Sequence, residues 1–459
     1  MNNNENQYDL IVIGAGSGLN VAAYTAATYD WNVAIIEKGP MGGTCLNRGC
    51  IPSKIIIHAA DVAEGIKNAK RFGIDATINN IDFEFVTKRA SEFVDKEAVE
   101  IEENIEKSEN ITLYKGTGEF TSNKSIKVNG KTITGKRILI AAGTRPFIPP
   151  IPGIEETGYI TSTEALRLTK QPKSVIIIGG GYISAELGHF LGALGTNVTI
   201  IQNGSLLINR EDGEIAKTFT EIWKKKYTVI LDAKTKNIGT KNNIKTVTIE
   251  NKDGSETILE AEEILVTTGR KSNSDLLKLE NTEIKTNERG FIEVNEYMET
   301  NIEGVWALGD IVGRAPFKHG ANWEAEHVVH NINEKNNSQA VDYSIMPHAI
   351  FTSPQIAGVG LTEEQAKEKN IDHVIKKTAY IESGMGKALE EHDGFVKFIL
   401  SGDGKKILGC HIMGPEASIL IHEIIVALKG AGGDVKAITR AIHIHPALNE
   451  IVQHAILRG

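Results

Sequence analysis

The chain has 459 residues, 41% of them hydrophobic and 24% charged, which belongs to folded globular protein and excludes collagen-like, coiled-coil and disordered architectures. Fifty Lys and Arg against 59 Asp and Glu leave a formal net charge of −9, an acidic balance that disfavours nucleic acid and membrane surfaces as partners. At roughly 100–200 residues per domain, the length predicts three or four domains.

The polar start at 1–8 lacks the basic-then-apolar order of a secretory signal. From Tyr8 an apolar run enters the turn Gly14-Ala-Gly16-Ser-Gly18, and the Ala-rich stretch 20–28 predicts a helix. A second apolar run, 32–37, ends on Glu37. Glycine is needed where a strand-to-helix turn must let a pyrophosphate approach the helix N-terminus, and an acid ending the second strand can accept the ribose hydroxyls. Gly14, Gly16, Gly18 and Glu37 together therefore point to a nucleotide.

The segment 42–54 reads GGTCLNRGCIPSK. On one regular helix, Cys45 and Cys50 would have Cα atoms roughly 8–9 Å apart, beyond the ~7 Å reach of a disulfide. Gly49 frees the backbone and Pro52 suits the first turn of a helix expected over 55–63, so the sulfurs can meet. At a helix N-terminus beside Lys54 a reduced cysteine favours its thiolate. A pair in a chain with three cysteines is read as redox-active and the compartment as the cytosol. No metal is expected, because the C-x₄-C spacing has no second Cys or His pair nearby. Cys410, in an apolar strand, is assigned to packing.

The Pro-rich stretch 146–152 predicts a linker. Beyond it, 174–178, Gly179-Gly-Gly181, a helix over 183–194 and a run at 197–202 repeat the first pattern some 165 positions on. No apolar run approaches the roughly 18 residues of a membrane span. The fold class expected is α/β, with two tandem Rossmann-like, doubly wound nucleotide-binding domains. After about residue 345, strands at 396–400 and 406–413 and an amphipathic helix over 417–429 predict a third, α+β domain that makes contacts. Near the end, Pro446 is expected to hold His445 extended and to start a helix packed through Leu448, Ile451, Val452, Ala455 and Ile456. Glu450, about one turn on, can hold one imidazole nitrogen and raise the basicity of the other. His443 is read as a surface or interface histidine. His319 either opens a helix or caps it.

These motifs, taken together, resemble the FAD-dependent pyridine nucleotide–disulfide oxidoreductases, the family of dihydrolipoyl dehydrogenase, glutathione reductase, mycothione reductase and mercuric reductase. GGTCLNRGCIPSK is similar to the redox-disulfide motif and IAAGTR at 140–145, with Gly143, to the family's A-x-G-x-x strand end. Gly179 to Glu186 resembles the NAD(P) fingerprint, TNIEGVWALGD at 300–310 the second FAD motif, and HPALNE at 445–450 the C-terminal H-P-x-x-x-E motif. The resemblance implies FAD binding over 1–150 and 273–344, NAD or NADP binding over 151–272, and a dimerisation domain over 345–459. It implies that Cys45 is the interchange thiol, Cys50 the thiol against the flavin, and Lys54 and Glu186 an ion pair near the flavin. Asp310 is implied in FAD binding, and Gly179, Gly181, Tyr182, Glu186, Gln202 and Gly269 in NAD(P) binding. His445 and Glu450 would serve the other subunit of a homodimer.

The chain departs from the family at Leu19 and Ser184, where the two fingerprints place Gly or Ala. It departs again at Gln202, where a carboxylate would select NAD and a nearby Arg NADP, so the nucleotide stays open. The expected enzyme exchanges electrons between a nicotinamide nucleotide and a small dithiol or disulfide. Dihydrolipoamide, free or on a lipoyl-carrying protein, ranks first as substrate and a low-molecular-weight thiol disulfide second. A non-catalytic FAD-binding subunit is the reading from another class.

Overall fold

The computed structural model describes residues 6–334 and 337–459; of the polar start, residues 1–5 lie outside that description. The chain divides into two compact units, one drawn from Met1–Ile55, Phe85–Phe147 and Gly269–Tyr343, the other from Ile56–Glu84, Ile148–Thr268 and Ser344–Gly459. It passes from the first to the second between Phe147 and Ile148, inside the Pro-rich stretch.

In the first unit the strand Gln7–Ile13 lies between Val33–Glu37 and Lys131–Ile140, parallel to both, with Ile111–Lys115 beyond Val33–Glu37. Leu10, Ile11 and Val12 are fully buried, as a parallel strand covered on both faces requires. Lys131–Ile140 also pairs with Val305–Ala307 in parallel and with the antiparallel hairpin strand Ser125–Val128. The helix Gly18–Tyr29 is the crossover.

The second unit repeats the plan. Four parallel strands run in the order Thr228–Ile230, Asn197–Ile201, Ser174–Ile178, Glu263–Val266, with the helix Tyr182–Ala193 as crossover. An antiparallel three-stranded sheet follows, over Lys234–Lys241, Ile244–Glu250 and Glu256–Ala261. The same unit holds the C-terminal antiparallel sheet, in the order His348–Ile350, Ile356–Gly360, Ile407–Met413, Phe395–Ser401, His373–Ala379. Helices Ala417–Gly430 and Glu450–Arg458 share its apolar core, and Cys410 is buried there with no exposed surface. The two Rossmann-like sheets and the α+β C-terminal region are the architecture expected from the sequence.

Two local expectations need correction. The helix expected over 55–63 begins at Cys50 and runs to Asn68. Pro52 falls in its first turn, where backbone N–H groups have no helical partner to lose. Pro446 does not start the last helix, which opens at Glu450 after a turn. The His445–Pro446 peptide is cis, and the Ala447 N–H is taken by the Glu450 carboxylate at 3.2 Å. The apolar stripe of that helix is as expected, with Ile451, Val452 and Ala455 fully buried. Among the described residues no helix is long and apolar enough to cross a membrane.

Candidate active site

Two of the three glycines of the first turn admit nothing larger. Gly14 has φ +103°, and a Cβ on it would lie 2.4 Å from the Ala141 carbonyl oxygen. A Cβ on Gly18 would come within 2.8 Å of the Ala141 Cβ and 2.9 Å of Val12 Cγ1. Gly18 therefore provides the close helix–sheet contact usually given to the third fingerprint glycine, which leaves Leu19 to pack against the core. Glu37 closes the turn: Oε2 accepts the Ala15 N–H at 2.9 Å and Oε1 the Gly39 N–H at 2.7 Å. Gly16 faces open space, with Gly43 Cα 4.0 Å from where its Cβ would be. A cradle of glycines, an anchored carboxylate and a helix N-terminus fits the phosphate and ribose of a nucleotide.

The cysteine segment is tied to this turn. The Gly42 N–H donates to the Ala15 carbonyl at 3.0 Å. Cys45 lies on the short helix Gly43–Arg48, and Gly49 (φ −151°, ψ −114°) breaks the backbone before Cys50 opens the next helix. The break is what one regular helix could not provide. Asn47 is buried and donates to the Met41 and Gly43 carbonyls at 2.7 and 2.9 Å, which holds the short helix against its own approach. Both cysteines are half-buried, and their thiols hydrogen-bond to each other. That bond, with burial second, pushes the Cys45 thiol well above the usual thiol range, while the Lys318 ammonium pulls it the other way.

A set of residues not anticipated from the sequence surrounds Asp310. Thr144 donates its hydroxyl to Asp310 Oδ2 at 2.8 Å, and Arg270 donates from Nε to Thr144 Oγ1 at 2.6 Å and from a terminal nitrogen to the Thr144 carbonyl at 2.8 Å. Arg270 Nε is also 3.7 Å from Asp310. Burial holds its guanidinium below the usual range, while the charges of Asp310 and Cys50 act in the opposite direction. Glu324, fully buried on the helix Lys318–Asn331, accepts the Gly309 N–H at 2.5 Å and the Tyr343 hydroxyl at 2.6 Å. Burial raises its carboxyl to about 7. Gly143 (φ +65°) and Gly269 (φ +126°) both face open space in this first unit. His319 sits in the first turn of Lys318–Asn331, its ring stacked on Phe317 at 5.3 Å.

In the second unit, Gly179 (φ +110°) passes the Thr267 carbonyl so closely that a Cβ would sit 2.7 Å from its oxygen. Gly181 is extended and leads into the helix Tyr182–Ala193. Ser184 is buried within that helix, as a small residue standing for Gly or Ala should be. Gln202 is buried at the strand end, its amide donating to the Leu206 carbonyl at 3.3 Å, so it closes its own loop. Tyr182 donates its hydroxyl to Glu211. Glu186 accepts the Phe351 N–H at 3.0 Å. Lys54, in the first unit, donates to Ser53 Oγ at 3.2 Å.

At the C-terminal end His445 Nδ1 lies 2.8 Å from Glu450 Oε1, and the imidazole is 77% exposed. The hydrogen bond to His445 holds the Glu450 carboxyl below its ordinary range. His443 is not a free surface imidazole: its side chain is 4% exposed, with Nε2 2.7 Å from Glu423.

Residues 8–331 match the family model described as pyridine nucleotide-disulphide oxidoreductase, and residues 346–456 match the dimerisation domain of the same family. The chain belongs to the pyridine nucleotide-disulphide oxidoreductases. Mycothione reductase of Mycobacterium tuberculosis (strain H37Rv) is 36% identical, over 98% of this chain and 99% of the relative. Dihydrolipoyl dehydrogenase of Geobacillus stearothermophilus is also 36% identical, over 97% and 95%. Among solved structures, the HOCl-induced flavoprotein disulfide reductase RclA from Escherichia coli superposes with a TM-score of 0.87 at 28% identity, covering 98% of this chain and all of that one. The cofactors of the family are FAD and a nicotinamide nucleotide, and the class of reaction is disulfide oxidoreduction.

Proposed function

We propose that this oxidoreductase passes electron pairs between a nicotinamide nucleotide and a small dithiol or disulfide through Cys45 and Cys50. The observation that carries this reading is the mutual hydrogen bond of the two thiols at a break between helices, anchored to the first glycine turn. Gly14, Gly16, Gly18, Glu37, Gly143 and Asp310 would hold FAD. Gly179, Gly181, Tyr182, Glu186 and Gln202 would hold the nicotinamide nucleotide. When bound, these two groups supply hydride transfer and two-electron exchange with the sulfur pair.

The residues themselves perform the exchange half of the cycle. Cys45, once deprotonated, attacks one sulfur of the substrate disulfide, forms a mixed disulfide and releases the first thiolate. His445 takes the Cys45 proton and gives it to that thiolate, and Glu450 stabilises the imidazolium that exists between the two transfers. Cys50 then attacks Cys45 Sγ, which closes the Cys45–Cys50 disulfide and frees the second substrate thiol. Two substrate sulfurs are reduced and two protein sulfurs oxidised. Run backwards, the same steps oxidise a dithiol. With a dimerisation domain at 346–456, the reading extends to a homodimer in which His445 serves the partner subunit's sulfur pair, in the cytosol.

Dihydrolipoamide is the first candidate substrate, on the CLNRGCIPSK segment and the 36% likeness to a dihydrolipoyl dehydrogenase. Reduction of a low-molecular-weight disulfide is the second, favoured by the equal likeness to mycothione reductase and by Gln202 in place of the carboxylate that would grip NAD. Intact sulfur and His–Glu pairs argue against a non-catalytic FAD subunit. Steady-state rates with lipoamide, dihydrolipoamide, glutathione disulfide and other thiol disulfides, each with both nucleotides, test the ranking. Lipoamide should turn over fastest; parity with the other disulfides moves the second reading to first place.

A further inference from the structure

We propose that Glu211, His348 and His411 form a binding site for a divalent transition-metal ion of the zinc class. The three residues lie within the second unit. His348, Gly358 and His411 stand in register across three adjacent strands of the C-terminal sheet, His348 opposite Gly358 and Gly358 opposite His411. The glycine between them is what lets the two imidazoles converge. A Cβ on Gly358 would lie 2.7 Å from His411 Nδ1 and 2.8 Å from His348 Nε2. Glu211, just before the helix Gly213–Lys226, brings Oε2 to 2.8 Å from His348 Nε2. The three donor atoms all lie within 4.8 Å of one another.

The tautomer of His411 is decided by its neighbour. Its Nε2 is 3.0 Å from the Leu361 carbonyl, which can only accept, so Nε2 carries the hydrogen and Nδ1 presents a bare lone pair. That Nδ1 is buried in a residue with no exposed surface and has no hydrogen-bond partner among the described residues. A buried, unsatisfied acceptor is costly, and this one faces a carboxylate and a second imidazole. A cation satisfies all three. Fixing one ring nitrogen on a backbone carbonyl while the other ligates is the usual support of a metal-binding histidine. Burial also favours the neutral imidazole.

Two nitrogen donors and one carboxylate suit Zn²⁺ and its borderline neighbours, whereas Mg²⁺ and Ca²⁺ prefer oxygen alone. One carboxylate charge against a dication leaves room for a water or an anion at the fourth position. For Nε2 of His348 to ligate, the proton it shares with Glu211 Oε2 moves to Nδ1 or to solvent. Glu211 Oε1 accepts the Tyr182 hydroxyl, and the Tyr182 ring stacks on His348 at 6.2 Å. An ion here therefore draws on the same carboxylate that positions Tyr182.

The test is Zn²⁺ titration of the chelator-treated, flavin-loaded protein with its Cys45–Cys50 pair oxidised, followed by calorimetry and metal analysis, and repeated in Cys45→Ser/Cys50→Ser so that the redox sulfurs cannot be the ligands. One Zn²⁺ per chain should bind saturably in both, and Co²⁺ should give the visible bands of a site with four or five ligands. His348→Gln should weaken binding by about 100-fold or more. Gly358→Ala should do the same while keeping every ligand. Absence of saturable binding in the parent protein overturns the proposal, as does binding that survives both substitutions in proteins that keep their flavin and far-ultraviolet spectrum.

Discussion

Gly43 stands so close to Gly16 that a Cβ on it would come within 2.8 Å of the Gly16 Cα, and its own φ is +64°. The nucleotide turn and the cysteine helix therefore meet backbone to backbone, and the position of one constrains the other. Replacing Gly43 by Ala should cost about 1–3 kcal/mol through this contact and the left-handed backbone together. Flavin content and the thermal midpoint of Gly43→Ala, compared with those of Gly65→Ala at an open helical position, check this; only the former should lose flavin.

The His445–Glu450 pair predicts a separation of half-reactions. His445→Gln should lower disulfide turnover by roughly 10²–10⁴-fold, yet leave reduction of the Cys45–Cys50 pair by nucleotide intact in rapid mixing. Glu450→Gln should fall between it and the parent enzyme, since it loses orientation and charge but not the imidazole.

Glu324 predicts a pH signature in stability. Its carboxyl is raised by burial to about 7 in the folded protein, against about 4.3 unfolded. Between these values the folded state binds the extra proton, so stability falls as pH rises through that window, by about 3–4 kcal/mol if nothing compensates. Glu324→Gln, able to keep both hydrogen bonds, should flatten the denaturation midpoint between pH 5 and 8 relative to the parent.

Lys397 is 1% exposed and contacts Asp212 at 2.9 Å and Glu363 at 2.6 Å, joining the start of the helix Gly213–Lys226 to the C-terminal sheet. Lys397→Met strands the fully buried Asp212, while Glu363 keeps Lys367, and should destabilise by about 3–5 kcal/mol, measurable by urea denaturation.

What the sequence disclosed, and what it did not, follows from reach along the chain. Gly14, Gly16, Glu37, Cys45 and Cys50 lie within one βαβ unit and the two helix starts that follow it and announce themselves by spacing, as does His445 with Glu450. Arg270, Thr144 and Glu324 gather around Asp310 only when strands and helices from distant parts of the chain are assembled, and none carries a local signature. The same holds for Glu211, His348 and His411, which no short pattern links. Pro52 lies in the first turn of its helix, as expected, although that helix opens earlier than 55, at Cys50, whereas Pro446 stays in a turn ahead of the helix it was expected to start.

Gln202 predicts weak discrimination of the nucleotide. Gln202→Glu should lower KM for NADH and raise it for NADPH, because a carboxylate at the strand end accepts the ribose hydroxyl and repels a 2′-phosphate. Parallel KM determinations with both nucleotides check it.

In the proposed reaction Cys45 and Cys50 exchange electron pairs with bound FAD. Anaerobic titration of the flavin-loaded protein with one equivalent of reduced nucleotide tests it most directly. The account predicts a long-wavelength thiolate–flavin absorbance in the parent, lost in Cys50→Ser with flavin retained, and present without any reductant in Cys45→Ser. A parent protein whose flavin bleaches on two-electron reduction without that band, and identically in both variants, would contradict it.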